Sequence, residues 1–383
     1  MQKACAEGVA EIWLTSEDTG AYGRDIGTNI VELLVLLLKN LPPNVMLRVG
    51  MTNPPYILEH LDAMCTLLNH PQVFAFLHIP IQVGNDAVLE RMNREYTVKD
   101  FETVCDKLLE KVPNMSISTD IICGFPGETD EEFQGTMQVI QKYKFPAVNI
   151  SQFYPRPGTV AARMKQVNTK DKKARSRAVT TLFESYKTTL GQEGAIERIS
   201  ISERENNKHN GDCMIGHTKN YTKVVLPFKQ GLIGKQVMVK ITECFTWHVT
   251  AEIVDENPTP LQVAPGFLDQ VEAEYARRKA EALSKHAARE AERTKKIEKL
   301  RNEAAEKRAE ILRLAAASKP AVPLSMKTAP TIKKTAQQVR QSAIKENTSQ
   351  SAVKTHGGHN SLAFITSGAA LLILGFVLLA RGY

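Results

Sequence analysis

Residues 118–135 read Ser-Thr-Asp-Ile-Ile-Cys-Gly-Phe-Pro-Gly-Glu-Thr-Asp-Glu-Glu-Phe-Gln-Gly. A β-prone run ends in a glycine–proline turn, and an acidic segment then opens an amphipathic helix. Asp120, Gly124 and Glu128 therefore sit at a strand end where backbone can approach a ligand closely. Taken alone, such a corner is equally a plain βα connection. Other strand-end segments carry polar groups of complementary kinds. Ser16, Asp18 and Tyr22 follow one strand-like run, Arg48 lies in a second, Gln82 follows a third, and Arg156 follows the run after the corner. In an α/β barrel, the loops at the C-terminal strand ends form the ligand face. Hydroxyl, carboxylate, guanidinium and amide groups converging there suit a nucleoside cofactor that bears an amino acid. Glu128, Asp130, Glu131 and Glu132 would repel a phosphate at that helix N-terminus, which counts against a phosphate-binding barrel.

Convergence requires a scaffold, and the chain supplies a regular one. Strand-like runs at 12–15, 46–50, 73–80, 115–122 and 147–153 alternate with helical patterns at 29–40, 56–69, 86–92, 98–112 and 130–143. Strict β–α alternation predicts a parallel sheet with right-handed crossovers, hence an α/β fold. A basic helix is expected at 170–190. Strand-like segments at 222–226, 234–241 and 248–254, with glycine turns, then predict a small β-barrel over 196–257. Residues 266–317, rich in Ala, Glu, Lys and Arg, predict a long charged helix, and 318–360 a disordered linker. Residues 362–380 hold no charged side chain. As a helix they would span about 28 Å, enough to cross a bilayer. Lys333, Lys334, Arg340, Lys345 and Lys354 precede them and predict a tail anchor with the bulk of the chain in the cytosol.

The 383 residues carry a formal charge of +7, which suits a polyanion or an anionic membrane surface as partner. The six cysteines, Cys5, Cys65, Cys105, Cys123, Cys213 and Cys244, are scattered with no CxxC pair. They predict reduced thiols and no disulfide framework.

Together the segments S-E-D-T-G-A-Y-G, L-H-I-P-I-Q-V-G-N-D-A-V-L-E-R-M-N-R-E-Y-T, D-I-I-C-G-F-P-G-E-T-D-E-E-F and F-Y-P-R-P-G-T-V-A-A resemble the tRNA methylthiotransferases. These radical S-adenosylmethionine enzymes modify adenosine beside the anticodon. The resemblance covers about residues 3–257 plus the apolar tail, and within the family it points to the eukaryotic, tail-anchored branch. It implies an incomplete radical-SAM (β/α) partial barrel at 1–195, lacking the first strand and cluster loop. It implies that 196–257 is a TRAM-type, tRNA-binding β-barrel. The implied reaction is methylthiolation of N6-threonylcarbamoyladenosine at C2, with tRNA as partner and the endoplasmic reticulum membrane as location.

The same resemblance implies that Ser16, Asp18, Tyr22, Arg48, Gln82, Asp120, Gly124, Glu128 and Arg156 hold S-adenosylmethionine. Lys219, Lys223, Lys235 and Lys240 would contact tRNA, helped by Lys170, Lys172, Lys173, Arg175 and Arg177 of the basic helix. It assigns no catalytic residue and no oligomer. In one respect the chain departs from the family. Members hold two 4Fe–4S clusters, on an N-terminal three-cysteine domain and on a C-x3-C-x2-C loop after the first barrel strand. Here Cys5 has no partner nearby in sequence, and no cysteine can be carried over as a cluster ligand. The expectation is a methylthiotransferase fragment or alternative product that is inactive alone. The competing expectation is a non-catalytic, membrane-tethered tRNA-binding or interaction protein.

Overall fold

The structure, a computed structural model, describes residues 1–207 and 211–317. After a short helix α1 (Gln2–Ala6), five parallel strands alternate with helices: β1 (Glu11–Leu14), α2 (Ile30–Lys39), β2 (Met46–Val49), α3 (Pro54–Leu58), α4 (Leu61–Leu68), β3 (Phe76–His78), α5 (Asp86–Arg91), α6 (Val98–Lys111), β4 (Ser116–Cys123), α7 (Asp130–Tyr143) and β5 (Ala147–Gln152). β1 pairs with β2, and β4 pairs with both β3 and β5, all in parallel. Backbone bonds from Leu47 N to Gln72 O and from Phe74 N to Leu47 O join the two sets into one succession. The α/β alternation read from the sequence is thus present, strand for strand.

Alternation along each strand sorts the side chains onto two faces. Ile12, Leu14, Leu47, Val49, Leu77, Ile117, Ile121 and Val148 join the core shared with the helices. Trp13, Arg48, Phe76, His78, Asp120 and Asn149 occupy the alternate positions, on the opposite face. Each fully buried apolar side chain of this core contributes about 1.5–3 kcal/mol.

Two boundaries differ from expectation for identifiable reasons. The helix expected over 56–69 is two helices: α3 starts earlier, because prolines fit the first helical turn, and it ends before His60. β3 is shorter than 73–80 because the Ala75 amide donates to the Lys219 carbonyl at 2.8 Å, outside the sheet.

Helices α8 (Val160–Arg163) and α9 (Thr169–Glu184) lead to β6 (Ile196–Asn207), β7 (Gly211–Thr218), β8 (Lys223–Pro227), β9 (Gln236–Cys244) and β10 (Val249–Asp255). These five close into a barrel in the order β10-β8-β7-β6-β9. Ile199, Ile201, Met214, Val224, Leu226, Val237, Val239 and Ile241 fill it. Helix α10 (Phe267–Ala317) follows; Val271 enters the first core, and the Tyr275 hydroxyl lies 2.8 Å from His60 Nδ1. Met1–Glu281 belong to one compact unit; 282–317 belong to a second. The expected linker (318–360) and apolar tail (362–380) lie outside the described residues. Among the described residues no helix is long and apolar enough to cross a membrane.

Candidate functional site

The corner after β4 is held by its own charges. Glu128 is buried; its Oε2 accepts from Gly124 N at 2.8 Å and from Arg175 Nη1 at 2.7 Å. Arg175, also buried, donates through Nη2 to Asp130 at 2.8 Å. Burial pushes the Glu128 carboxyl up, while the Gly124 N–H and the Arg175 guanidinium pull it back toward the ionised form. Gly124 has φ of +77°, and a Cβ there would lie 2.2 Å from Lys172 Cγ. Thr129 and Glu132 exchange a capping box that starts α7. Gly124 and Glu128 thus join β4 and α7 to α9. Glu128, expected to hold a cofactor, has both its charge and its burial committed to Arg175. The basic helix is corrected likewise: Arg175 is buried, and buried Lys172 donates from Nζ to Phe153 O at 3.2 Å. Neither is a surface contact for RNA.

Asp18 is a second structural carboxylate. It accepts from Gly20 N, Asn53 N, Asn53 Nδ2 and Thr52 Oγ1 at 2.7–3.2 Å, which ties the loop after β1 to the loop after β2. Four donors engage it and fix the carboxylate between the two loops. Tyr22 packs partly buried against the core. Ser16 and Arg156 are exposed on their loops. Gln82 is buried with φ of +70°, its backbone bridging to β4.

The inner face of the sheet is different. Asp120 is paired in register with Asn149, and its Oδ1 accepts from Asn149 Nδ2 and from His78 Nε2, both at 2.8 Å. Burial resists its ionisation, but the bonds from His78 and Asn149 outweigh burial and hold the carboxyl below its usual value. An ionised carboxylate only accepts, so His78 Nε2 carries the proton in this bond. Asp120 Oδ2 takes no hydrogen bond among the described residues. The row His78–Asp120–Asn149 therefore holds Asp120 Oδ2 on a rigid floor as an acceptor for O–H or N–H donors of a ligand. His78 and Asn149 were missed as site residues in the sequence. Their signal was parity, since both lie on the strand face opposite the buried apolar positions.

On the same face Arg48 lies opposite Trp13 in register. Its guanidinium carbon is 4.9 Å from the Trp13 ring, 4.9 Å from Phe76 and 4.8 Å from Tyr221. Tyr221 comes from the turn between β7 and β8, which docks the barrel on the sheet. In that turn Lys219 Nζ donates to Leu68 O at 2.9 Å, to His70 O at 2.7 Å and also to Val73 O. Burial pushes its amine down to about 7. Nearby, His217 Nδ1 meets the buried Glu11 carboxylate at 2.8 Å. Lys219 is a docking residue and is corrected as an RNA contact. Lys223 is half-buried and paired with Glu205 at 3.2 Å, whereas Lys235 and Lys240 are exposed on the barrel.

Among the described residues the six cysteines do not gather at one place. Cys65, Cys105, Cys123 and Cys213 are buried, and no group of metal-ligating side chains gathers among the described residues. Burial raises the thiol pKa of all six, to about 11 at Cys65 and about 12 at Cys123.

Comparison with known proteins gives two family matches: the radical SAM superfamily over residues 1–140 and the TRAM domain over residues 191–254. The human threonylcarbamoyladenosine tRNA methylthiotransferase is 52% identical over 237 residues, covering 62% of this chain and 40% of the relative. The Drosophila melanogaster protein of the same name is 48% identical over 256 residues, covering 67% and 46%. A probable threonylcarbamoyladenosine tRNA methylthiotransferase of Pyrococcus abyssi is 36% identical over 252 residues, covering 66% and 58%. The chain spans about half the length of the curated relatives it matches.

Proposed function

The chain belongs to the tRNA methylthiotransferase family of radical SAM proteins, and from that premise we propose that it is the nucleoside- and tRNA-holding part of such an enzyme. The parent activity is methylthiolation of N6-threonylcarbamoyladenosine beside the anticodon. What supports the reading most is the order of parts: an α/β sheet with a polar inner face, followed by a closed TRAM-type barrel docked on it. On the inner face, Asp120, held by His78 and Asn149, accepts hydroxyl and amino donors and orients an adenosyl group. S-adenosylmethionine, when bound, supplies the methyl group. Exposed Lys235 and Lys240 attract the tRNA backbone, which makes affinity fall with salt.

These residues hold and orient, and the chain's own thiols do not build the redox centre. Anaerobic reconstitution with iron and sulfide should therefore yield no iron–sulfur charge-transfer absorbance, while tRNA is still retained at low salt. A stoichiometric cluster on this chain would refute the division. The buried, high-pKa thiols also favour a second reading, a non-catalytic membrane-tethered tRNA-binding or interaction protein. The two readings separate in cells that lack the parent enzyme: only the first predicts restored methylthiolation when the chain is co-expressed with cluster-bearing regions of a relative. Attachment to the endoplasmic reticulum membrane through 362–380, with the bulk of the chain facing the cytosol, is supported by the uncharged run and the basic residues before it. Alkaline carbonate should leave the full chain in the membrane pellet and release a variant without 362–380.

A further inference from the structure

Arg48 is a cation with no anion. Its guanidinium is caged by the Trp13, Phe76 and Tyr221 rings at 4.8–4.9 Å. Nε is buried and makes no hydrogen bond. Glu11, the carboxylate on the neighbouring strand, is engaged elsewhere: Trp13 Nε1 donates to it at 3.0 Å, and His217 meets it at 2.8 Å. Among the described residues, no carboxylate pairs with Arg48. Aromatic faces stabilise a guanidinium and hold its plane, but they leave its hydrogen-bond donors unsatisfied. A fixed planar fork of this kind matches a carboxylate bidentately. Arg48 shares the inner face with the acceptor row at His78, Asp120 and Asn149. Among the described residues, this face thus presents the Asp120 acceptor and, in Arg48, a cation without an ion-pair partner.

We propose that Arg48 is the residue that selects the substrate nucleoside, by taking the carboxylate of its threonylcarbamoyl group. The assignment rests on the tRNA reading above. Unmodified adenosine has no such carboxylate, so a caged arginine distinguishes the two by charge. Tyr221 makes the cage a joint product of sheet and barrel, and docking of the barrel positions the cation.

The test compares equilibrium binding of the full chain to three tRNAs of one sequence. One carries N6-threonylcarbamoyladenosine beside the anticodon, one carries its carboxyl methyl ester, and one carries adenosine. The chain should bind the first roughly tenfold tighter than the other two, as a charge-assisted pair allows. Arg48→Gln should erase the preference and leave affinity for the adenosine form unchanged. Arg48→Lys, which keeps the charge and loses the fork, should retain part of it. If Arg48→Gln fails to fold, the ester comparison on the unaltered chain still decides. Equal affinity for acid and ester overturns the proposal. So does an equal loss on all three tRNAs in Arg48→Gln, which would mark a phosphate contact. Failure of the unaltered chain to bind any of the three overturns the tRNA reading itself, and the proposal with it.

Discussion

The corner after β4 and the inner face of β4 lie within a few residues of each other, yet they use charge in opposite ways. At the corner, Glu128 is enclosed with Arg175, whose Nη1 and Nη2 pair with Glu128 and Asp130 while its buried Nε makes no hydrogen bond. On the inner face, Asp120 is held ionised by His78 and Asn149 with one oxygen free, and Arg48 has aromatic walls and no counter-ion. The first arrangement fastens a strand to two helices. The second keeps polar capacity available to something else. Richness in charged residues therefore does not by itself mark a ligand site; what marks it is charge left unpaired on a rigid surface.

The sharpest way to break this contrast is to remove Arg175. Arg175→Ala would leave the Glu128 carboxylate buried without its partner, which costs about 3–5 kcal/mol. Chemical denaturation of a folded fragment comprising residues 1–281 should register that loss, and Glu128→Leu added to Arg175→Met should recover much of it. A change below about 1 kcal/mol would mean the corner is not the fastening described. Gly124→Ala comes next. Its positive φ and the 2.2 Å approach to Lys172 Cγ predict a destabilisation of about 1–3 kcal/mol, read as a lowered melting temperature.

The docking turn gives a pH test. Lys219 is pushed down to about 7 in the folded chain, against about 10.4 when unfolded. Between those values the unfolded chain binds a proton that the native amine has released. Stability should therefore rise with pH from about 7 toward 10, with a slope of at most about 1.4 kcal/mol per pH unit. Lys219→Met should flatten that rise, and an unchanged slope would remove Lys219 from the account. The smallest stability effect belongs to the inner face. Asp120→Asn, which keeps an acceptor oxygen for the same donors, should cost about 0.5–1.5 kcal/mol, the scale of one neutral hydrogen bond. It should nevertheless weaken binding of an adenosyl ligand such as S-adenosylhomocysteine severalfold by calorimetry. A stability loss of several kcal/mol with no loss of binding would reverse the comparison.

Much of this was legible in the sequence, because periodicity reports which positions are buried. The alternation of strands and helices, the Thr129 cap and the small β-barrel all follow from local pattern. Asp120 and Arg48 could be picked out as strand residues. What local pattern does not carry is who sits across the fold. Glu128 looks free until Arg175, far along the chain, is placed against it. Lys219 looks like one more surface lysine until its amine is seen among the carbonyls of Leu68, His70 and Val73. Tyr221 gives no sign in sequence of walling Arg48. At Glu128 and Lys219 the correction is a long-range pairing of a charge.

The account stands on the chain being a holder of tRNA, and equilibrium binding of tRNA by the full chain from low to physiological salt tests that most directly. It predicts measurable affinity at low salt whose logarithm falls linearly with the logarithm of salt concentration, with Lys235→Glu and Lys240→Glu each reducing the slope by about one. No binding at low salt, or an affinity indifferent to salt, would contradict it.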